Sequence, residues 1–351
     1  MIQIEELLKT AKEHGASDVH ITVGIPPKMR IGGSLRSMDF EKLMPSEIEP
    51  ALLSIMNPRQ KQQLDEKGEV DFSVSIPGEG RYRVNVFRQR GSYAAALRLV
   101  GTTIPDVNEL GIPQSVMQLY KKKRGLILIT GPAGSGKSTT LAAIIDKINH
   151  NINVHVITLE DPIEYLYQHK MAIVNQREIG LDTTSYHAAL RAALREDPDV
   201  IMVGEMRDAE TIATALTAAE MGHLVLSSLH TVGAANTIER IIDVFPPQKQ
   251  QQVRIQLASV LESVVSQQLI PTQDKHHRAA AFEVMHMTPS IKSFIRDDKM
   301  HQITNVMKNG KKFGMQTMDD AIFDLYLRGI INREQAIIFA QDVAEMERKL
   351  I

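Results

Sequence analysis

The 351-residue sequence has no cysteine and no tryptophan. Without thiols, disulfides, cysteine-ligated zinc, iron–sulfur clusters and thiol catalysis are excluded together. Aromatic residues make up only 5% of the chain, so its cores have to be aliphatic, helped by 17 methionines that pack adaptably. Neither sign of charge dominates, and the formal net charge is −2. That balance excludes a general polyanion-binding surface and leaves room only for a local basic patch. A long apolar run is missing too. The charge-free stretch Met221–Ile238 contains His223, His230, Asn236 and two glycines, which does not suit a membrane span. Glu5 and Glu6 stand where a secretory leader would carry positive charge. A cytoplasmic chain is therefore expected, with peripheral membrane attachment through a partner left open.

What is present is a hydrophobic share of 43%, enough for globular packing, in a length that fits about two domains. The first hundred residues read as a mixed α+β unit. Ile4, Leu7, Leu8 and Ala11 share a helical face that His14 and Gly15 end. Val19–Val23 alternates like a strand, and Ser46 with Glu49 reads as a capping box opening a helix. Strand-like runs follow at Val70–Ile76, Tyr82–Phe87 and Tyr93–Val100, the first two joined by a turn at Pro77–Gly80, as in an antiparallel meander. Arg81, Arg83, Arg88, Arg90 and Arg98 crowd this region. Residues 102–113, with Pro105 and Pro113, read as a linker between domains at 1–101 and 114–351. Beyond it the pattern alternates strands with helices. Leu126–Thr130, Val154–Leu159, Val200–Val203 and Leu224–Ser228 are short continuous apolar runs, as in a parallel sheet covered on both faces. After Pro246 and Pro247 the chain reads as mostly helical: Gln248–Ile270, Met318–Leu327 and Glu334–Met346.

The strongest chemical signal is Gly131-Pro132-Ala133-Gly134-Ser135-Gly136-Lys137-Ser138-Thr139, a full match to G-x-x-x-x-G-K-[ST]. It follows an apolar strand and precedes a helical pattern, the context a phosphate loop requires. Glycines let several N–H groups point at one phosphate, and the helix start adds a favourable field. Lys137 is placed for the β- and γ-phosphates of ATP, and the Ser138 hydroxyl for Mg²⁺. Two strand ends carry acids: Glu160, Asp161 and Glu164 after the second apolar run, and Glu205 after the third. Ligands of an open parallel sheet sit at the carboxyl ends of its strands, so these acids are candidates for holding metal and orienting water. Asp161 before Pro162 can alternatively cap a helix. His223 and His230 bracket another core strand. A lone histidine is most often a surface or hydrogen-bonded structural residue, but His230 at a strand end beside nucleotide can instead sense the γ-phosphate. Zinc is disfavoured, since the adjacent His276 and His277 lack ligand spacing. Arg83 and Arg98 lie in a domain with no phosphate loop of its own, yet a guanidinium fork suits phosphate oxygens.

These blocks, in this order, resemble the ATPases of the type II secretion and type IV pilus superfamily. The phosphate loop, an Asp box at Glu160–Glu164, a Walker B variant at Gly204–Glu205 and a His box at Gly222–Thr231 all have counterparts there. Gly15–His20, Arg195–Asp199, Gly204–Asp208 and Gly314–Thr317 make the pilus-retraction branch the nearest likeness, over essentially the whole chain. The resemblance implies a PAS-like α+β domain followed by a RecA-like α/β P-loop ATPase domain. It also implies a homo-hexameric ring with nucleotide between subunits, working at the inner face of the cytoplasmic membrane with a pilus platform protein. In that family pattern Glu164 falls on the water-activating position and Glu205 on the Mg²⁺ position, acting through water. Arg83 and Arg98 fall on arginine fingers. Ser290–Asp297 departs from the branch's A-I-R-N-L-I-R-E motif, keeping Ile291, Ile295 and Arg296, and Lys292 retains charge without bidentate geometry. An accessory retraction paralogue is thus an alternative, either as identity or as partner. A RecA-like nucleic-acid motor is disfavoured by the charge balance and by the shortage of rings for base stacking. Lys121–Arg124 is the only dense basic run.

Overall fold

The computed structural model describes residues 3–76, 80–100, 104–106, 110–274 and 277–351. Part of the expected linker, Pro77–Glu79 of the expected turn and His276 lie outside these residues. Two compact units divide the chain: Met1–Thr103 with Pro162–Leu166, and Ile104–Asp161 with Tyr167–Ile351.

The first unit holds a six-stranded antiparallel sheet. Its strands are β1 (Asp18–Ile21), β2 (Lys28–Ile31), β3 (Ser34–Ser37), β4 (Glu69–Ile76), β5 (Gly80–Gln89) and β6 (Ser92–Leu99), in the order β3-β2-β1-β6-β5-β4. Tyr82, Val84 and Val86 point inward from β5 while Arg83 points out, the alternation that a half-buried strand demands. Helix Ile4–Glu13 buries Ile4, Leu7, Leu8 and Ala11, the stripe its periodicity predicts. The expected cap at Ser46 moves. Helix Pro45–Ser54 begins with proline at its first position, and Glu47, not Glu49, reaches back to accept from the Met44 N–H at 3.0 Å. Strands β2 and β3 and helix Pro58–Lys67 are polar or short and carry little periodic signal.

The second unit is built on seven strands: β7 (Gly125–Thr130), β8 (His155–Glu160), β9 (Ile173–Glu178), β10 (Val200–Val203), β11 (Leu224–Leu229), β12 (Leu261–Pro271) and β13 (Arg278–His286). Their order is β13-β12-β7-β11-β10-β8-β9, parallel except for the β12–β13 pair. Leu126 and Leu128 of β7 pack with one core cluster and Ile127 and Ile129 with another, so helices cover both faces. That explains the continuous apolar runs. The region after Pro246 corrects the expected helix. It ends at Val260, and Leu261–Pro271 continues directly as a buried strand that pairs with β7 and with β13. The strand's mixed sequence, with Glu262, Ser263, Ser266, Gln267 and Gln268 among apolar residues, shows no clear change of period from the helix before it. The expected helix Glu334–Met346 is two helices, Arg333–Phe339 and Val343–Lys349. No helix begins at Pro162. Among the described residues, no helix is long and apolar enough to cross a membrane.

Candidate functional site

In the second unit, β7, β11, β10 and β8 run parallel, so Gly131, His230, Gly204 and Asp161 follow their strands at one edge of the sheet. Gly131 leaves β7 beside β11, its N–H donating to the Leu229 carbonyl at 3.3 Å. The loop's glycines are geometrically required. Gly131, Gly134 and Gly136 take φ of 141°, 74° and 88°. A Cβ on Gly131 would also collide with the Gln267 carbonyl and come within 2.7 Å of Ser135 Oγ. That Ser135 hydroxyl is buried and has no hydrogen-bond partner, a polar atom placed inside a cradle of backbone. Ser138 and Thr139 lie in the first turn of helix Lys137–Asn151, whose N-terminus opens directly from the loop. The residues present therefore fit a phosphate group.

The charged groups form a chain. Lys137 is only 7% exposed, and its Nζ donates to the Gly131 and Pro132 carbonyls at 3.0 Å each. It also lies 3.2 Å from His230 Nδ1. An ammonium can only donate, so Nδ1 accepts and the ring proton sits on Nε2, which is 3.3 Å from Glu205 Oε1. The other oxygen of Glu205 pairs with Arg207 at 2.8 Å. Burial pushes the Glu205 carboxyl up, but Arg207 and the His230 ring outweigh it and hold it below the usual carboxylate value. The turn carrying Glu205 is pinned by Ser228 Oγ, which donates to the Gly204 carbonyl at 2.6 Å, and by the Gly204 N–H to Leu159 at 2.8 Å. Tyr186 lies beside this turn, its phenol kept protonated by burial and by the nearby Asp161 and Glu205. Among the described residues no group of three or more His, Asp or Glu side chains is arranged as a metal cage. The Ser138 hydroxyl and the Glu205 carboxylate are oxygen groups of the kind that suit a hard cation.

Residues outside the recognised motifs build the walls. Gln267 of β12 accepts from buried Thr140 Oγ1 at 2.7 Å, behind the phosphate loop. A cavity of about 340 Å³ adjoins Gly136 and Thr139, lined by Leu269, Arg278, Ala280 and Leu325 among others. The stretch Ala279–Met285, apolar except for Glu283, is the available sequence signal for this hairpin. The loop after His230 is anchored by Ser266 Oγ, which accepts from Gly233 N–H at 3.0 Å, and by buried Glu283, which accepts from Ala234 N–H at 2.6 Å. Burial pushes the Glu283 carboxyl above the usual range, against its backbone donors.

In the first unit, Arg83 and Arg98 stand directly opposite each other on β5 and β6. They line one cavity of about 330 Å³ together with Glu164 and Tyr165, whose segment belongs to this unit. Arg98 Nε donates to Asp18 at 2.7 Å, and Arg83 Nε lies 4.0 Å from Asp71. Asp161 belongs to the second unit and Glu164 to the first, so the acids of one sequence block divide between the two.

The model of the type II/IV secretion system protein family matches residues 1–337. The type IV pilus retraction ATPase PilT of Pseudomonas aeruginosa is 44% identical over 335 residues, covering 95% of this chain and 97% of the relative. The type IV pilus ATPase PilU of the same organism is 41% identical over 345 residues, covering 98% and 90%. The crystal structure of the pilus retraction motor PilT with bound ADP superposes with a TM-score of 0.92 at 49% identity, covering 99% of this chain and 100% of that one. The chain belongs to the type II/IV secretion system protein family.

Proposed function

We propose that this chain is a motor ATPase that hydrolyses ATP to drive type IV pilus retraction, acting as a homohexamer at the cytoplasmic face of the inner membrane against a pilus platform protein. The observation that carries the reading is the end-to-end likeness to a pilus retraction ATPase, 44% identical across 95% of this chain. The Lys137–His230–Glu205–Arg207 chain supports it chemically, because it joins the phosphate loop to the carboxylate strand end.

The loop N–H groups, Ser135 and Lys137 bind the β- and γ-phosphates. The cavity beside Thr139 suits a nucleoside: Leu269 and Ala280 offer apolar wall for the base, and Gln267, Arg278 and Arg328 offer polar groups. Ser138 and Glu205 would hold Mg²⁺, and the ion would supply neutralisation of phosphate charge. Glu164 takes the proton of the attacking water as its oxygen bonds to the γ-phosphorus and the bond to the β-phosphate oxygen breaks. Arg83 and Arg98 offset the charge on the departing phosphoryl group. His230 registers the γ-phosphate through Lys137, and loss of that phosphate biases a two-state arrangement that the ring converts into motion.

Deletion with complementation tests this. Cells lacking the chain should be hyperpiliated and non-motile, and the Lys137→Ala form should not rescue them, whereas normal piliation and motility would count heavily against retraction. The accessory-paralogue reading is favoured by one observation, the departure of Ser290–Asp297 from the retraction motif. It requires motility to persist in the deletion strain whenever a second retraction ATPase is present.

A further inference from the structure

One row of the first unit's sheet carries unusual charge. Cross-strand partners place Arg30 of β2, Asp18 of β1, Arg98 of β6 and Arg83 of β5 side by side at one level. Residues directly opposite share a face, and like charges there repel, so Arg83 facing Arg98 is unfavourable by itself. Asp18 is the carboxylate within this row. Its side chain is 10% exposed, whereas Arg98 is 71% exposed and Arg83 52%. Oδ1 takes the Arg98 Nε–H at 2.7 Å, Oδ2 takes the Ser17 hydroxyl at 2.7 Å, and Arg30 Nε lies 3.9 Å from Oδ2. A guanidinium bound through Nε keeps its Nη1–Nη2 edge for a second, bidentate anion. An arginine with three sp³ torsions ahead of a buried tether loses little further freedom when it meets phosphate.

We propose that Asp18 is the positioning residue for Arg98: it fixes the guanidinium by its Nε side so that the Nη edge is presented to the phosphoryl group in transfer. The proposal rests on the reading of Arg98 as an arginine finger. Ser17 supports Asp18 from its other oxygen. The block Gly15–His20 then contributes to catalysis indirectly, by holding an arginine 80 residues away.

The test is steady-state ATP hydrolysis by the assembled full-length protein, with thermal unfolding alongside. Asp18→Asn keeps the shape and removes the charge. It should lower kcat by roughly tenfold or more with KM little changed, since misplacing a catalytic group costs turnover before binding. In an Arg98→Ala background the same substitution should cause no further loss. Ser17→Ala should give a smaller fall, about two- to threefold, that also disappears with Arg98→Ala. If the Asp18→Asn and Ser17→Ala losses persist in full without Arg98, the two residues serve only the fold and the proposal is overturned. Unchanged kcat in both variants, with Arg98→Ala still impaired, overturns it as well. An Arg98→Ala protein with normal kcat instead sinks the finger reading itself.

Discussion

The two units hold charge differently. In the P-loop unit Lys137 is answered by two carbonyls and His230, and Glu205 by His230 and Arg207. In the arginine unit the charges are lopsided, with Arg83 and Arg98 opposed across one pair of strands and both side chains more than half exposed. A closed network stores a defined geometry, while exposed guanidiniums wait for an anion that their own unit supplies only in part. On the proposed function, binding and turnover are separable: the phosphate loop supplies the first, and Arg83, Arg98 and Glu164 are proposed to serve the second.

Breaking the closed network should have the largest effect. Lys137→Ala should cost ATP turnover on the order of 10³-fold or more and weaken nucleotide binding too, measured by steady-state hydrolysis and by fluorescent-nucleotide titration. Glu164→Gln should spare binding and lower turnover by roughly 10²-fold, because only the proton acceptor is lost. Should Glu164→Gln hydrolyse normally and Glu205→Gln not, the roles of the two acids are reversed. Arg83→Ala should reduce kcat by roughly tenfold with a smaller change in KM, and an equal loss in both would make it a simple binding residue.

The smallest effect concerns pH. Burial raises the Asp18 carboxyl, but Ser17 and Arg98 outweigh it and the net shift is downward from 3.8. Its stabilising contribution is therefore present above the unfolded value and lost as pH falls through the lower folded value. Wild type and Asp18→Asn should differ in unfolding midpoint at neutral pH, and the difference should shrink as pH falls through the lowered folded value of Asp18.

Local features were legible in the sequence. The phosphate loop, its strand and its helix are contiguous, and β8, β10 and β11 announce themselves because burial on both faces leaves an unbroken apolar run. The outward alternation of Arg83 was equally readable from Tyr82, Val84 and Val86. What escaped depends on distance along the chain. Strand β12 looks like the end of the preceding helix until its pairing with β7 and β13 is known, and so Gln267 behind the phosphate loop was invisible. No spacing rule connects Asp18 to Arg98. Nor does one carry Glu164, four residues after Glu160 of β8, into a cavity with the arginines of the first unit.

Mixing two inactive proteins tests the division of labour most directly. On the proposed function, Lys137→Ala removes the phosphate clamp and Arg98→Ala removes the arginine finger. If arginines of one copy serve nucleotide bound to another, rings assembled from both variants should recover ATP hydrolysis above that of either alone. Mixed rings that stay as inactive as their parents, while wild-type subunits in the same assay restore activity, would contradict the account.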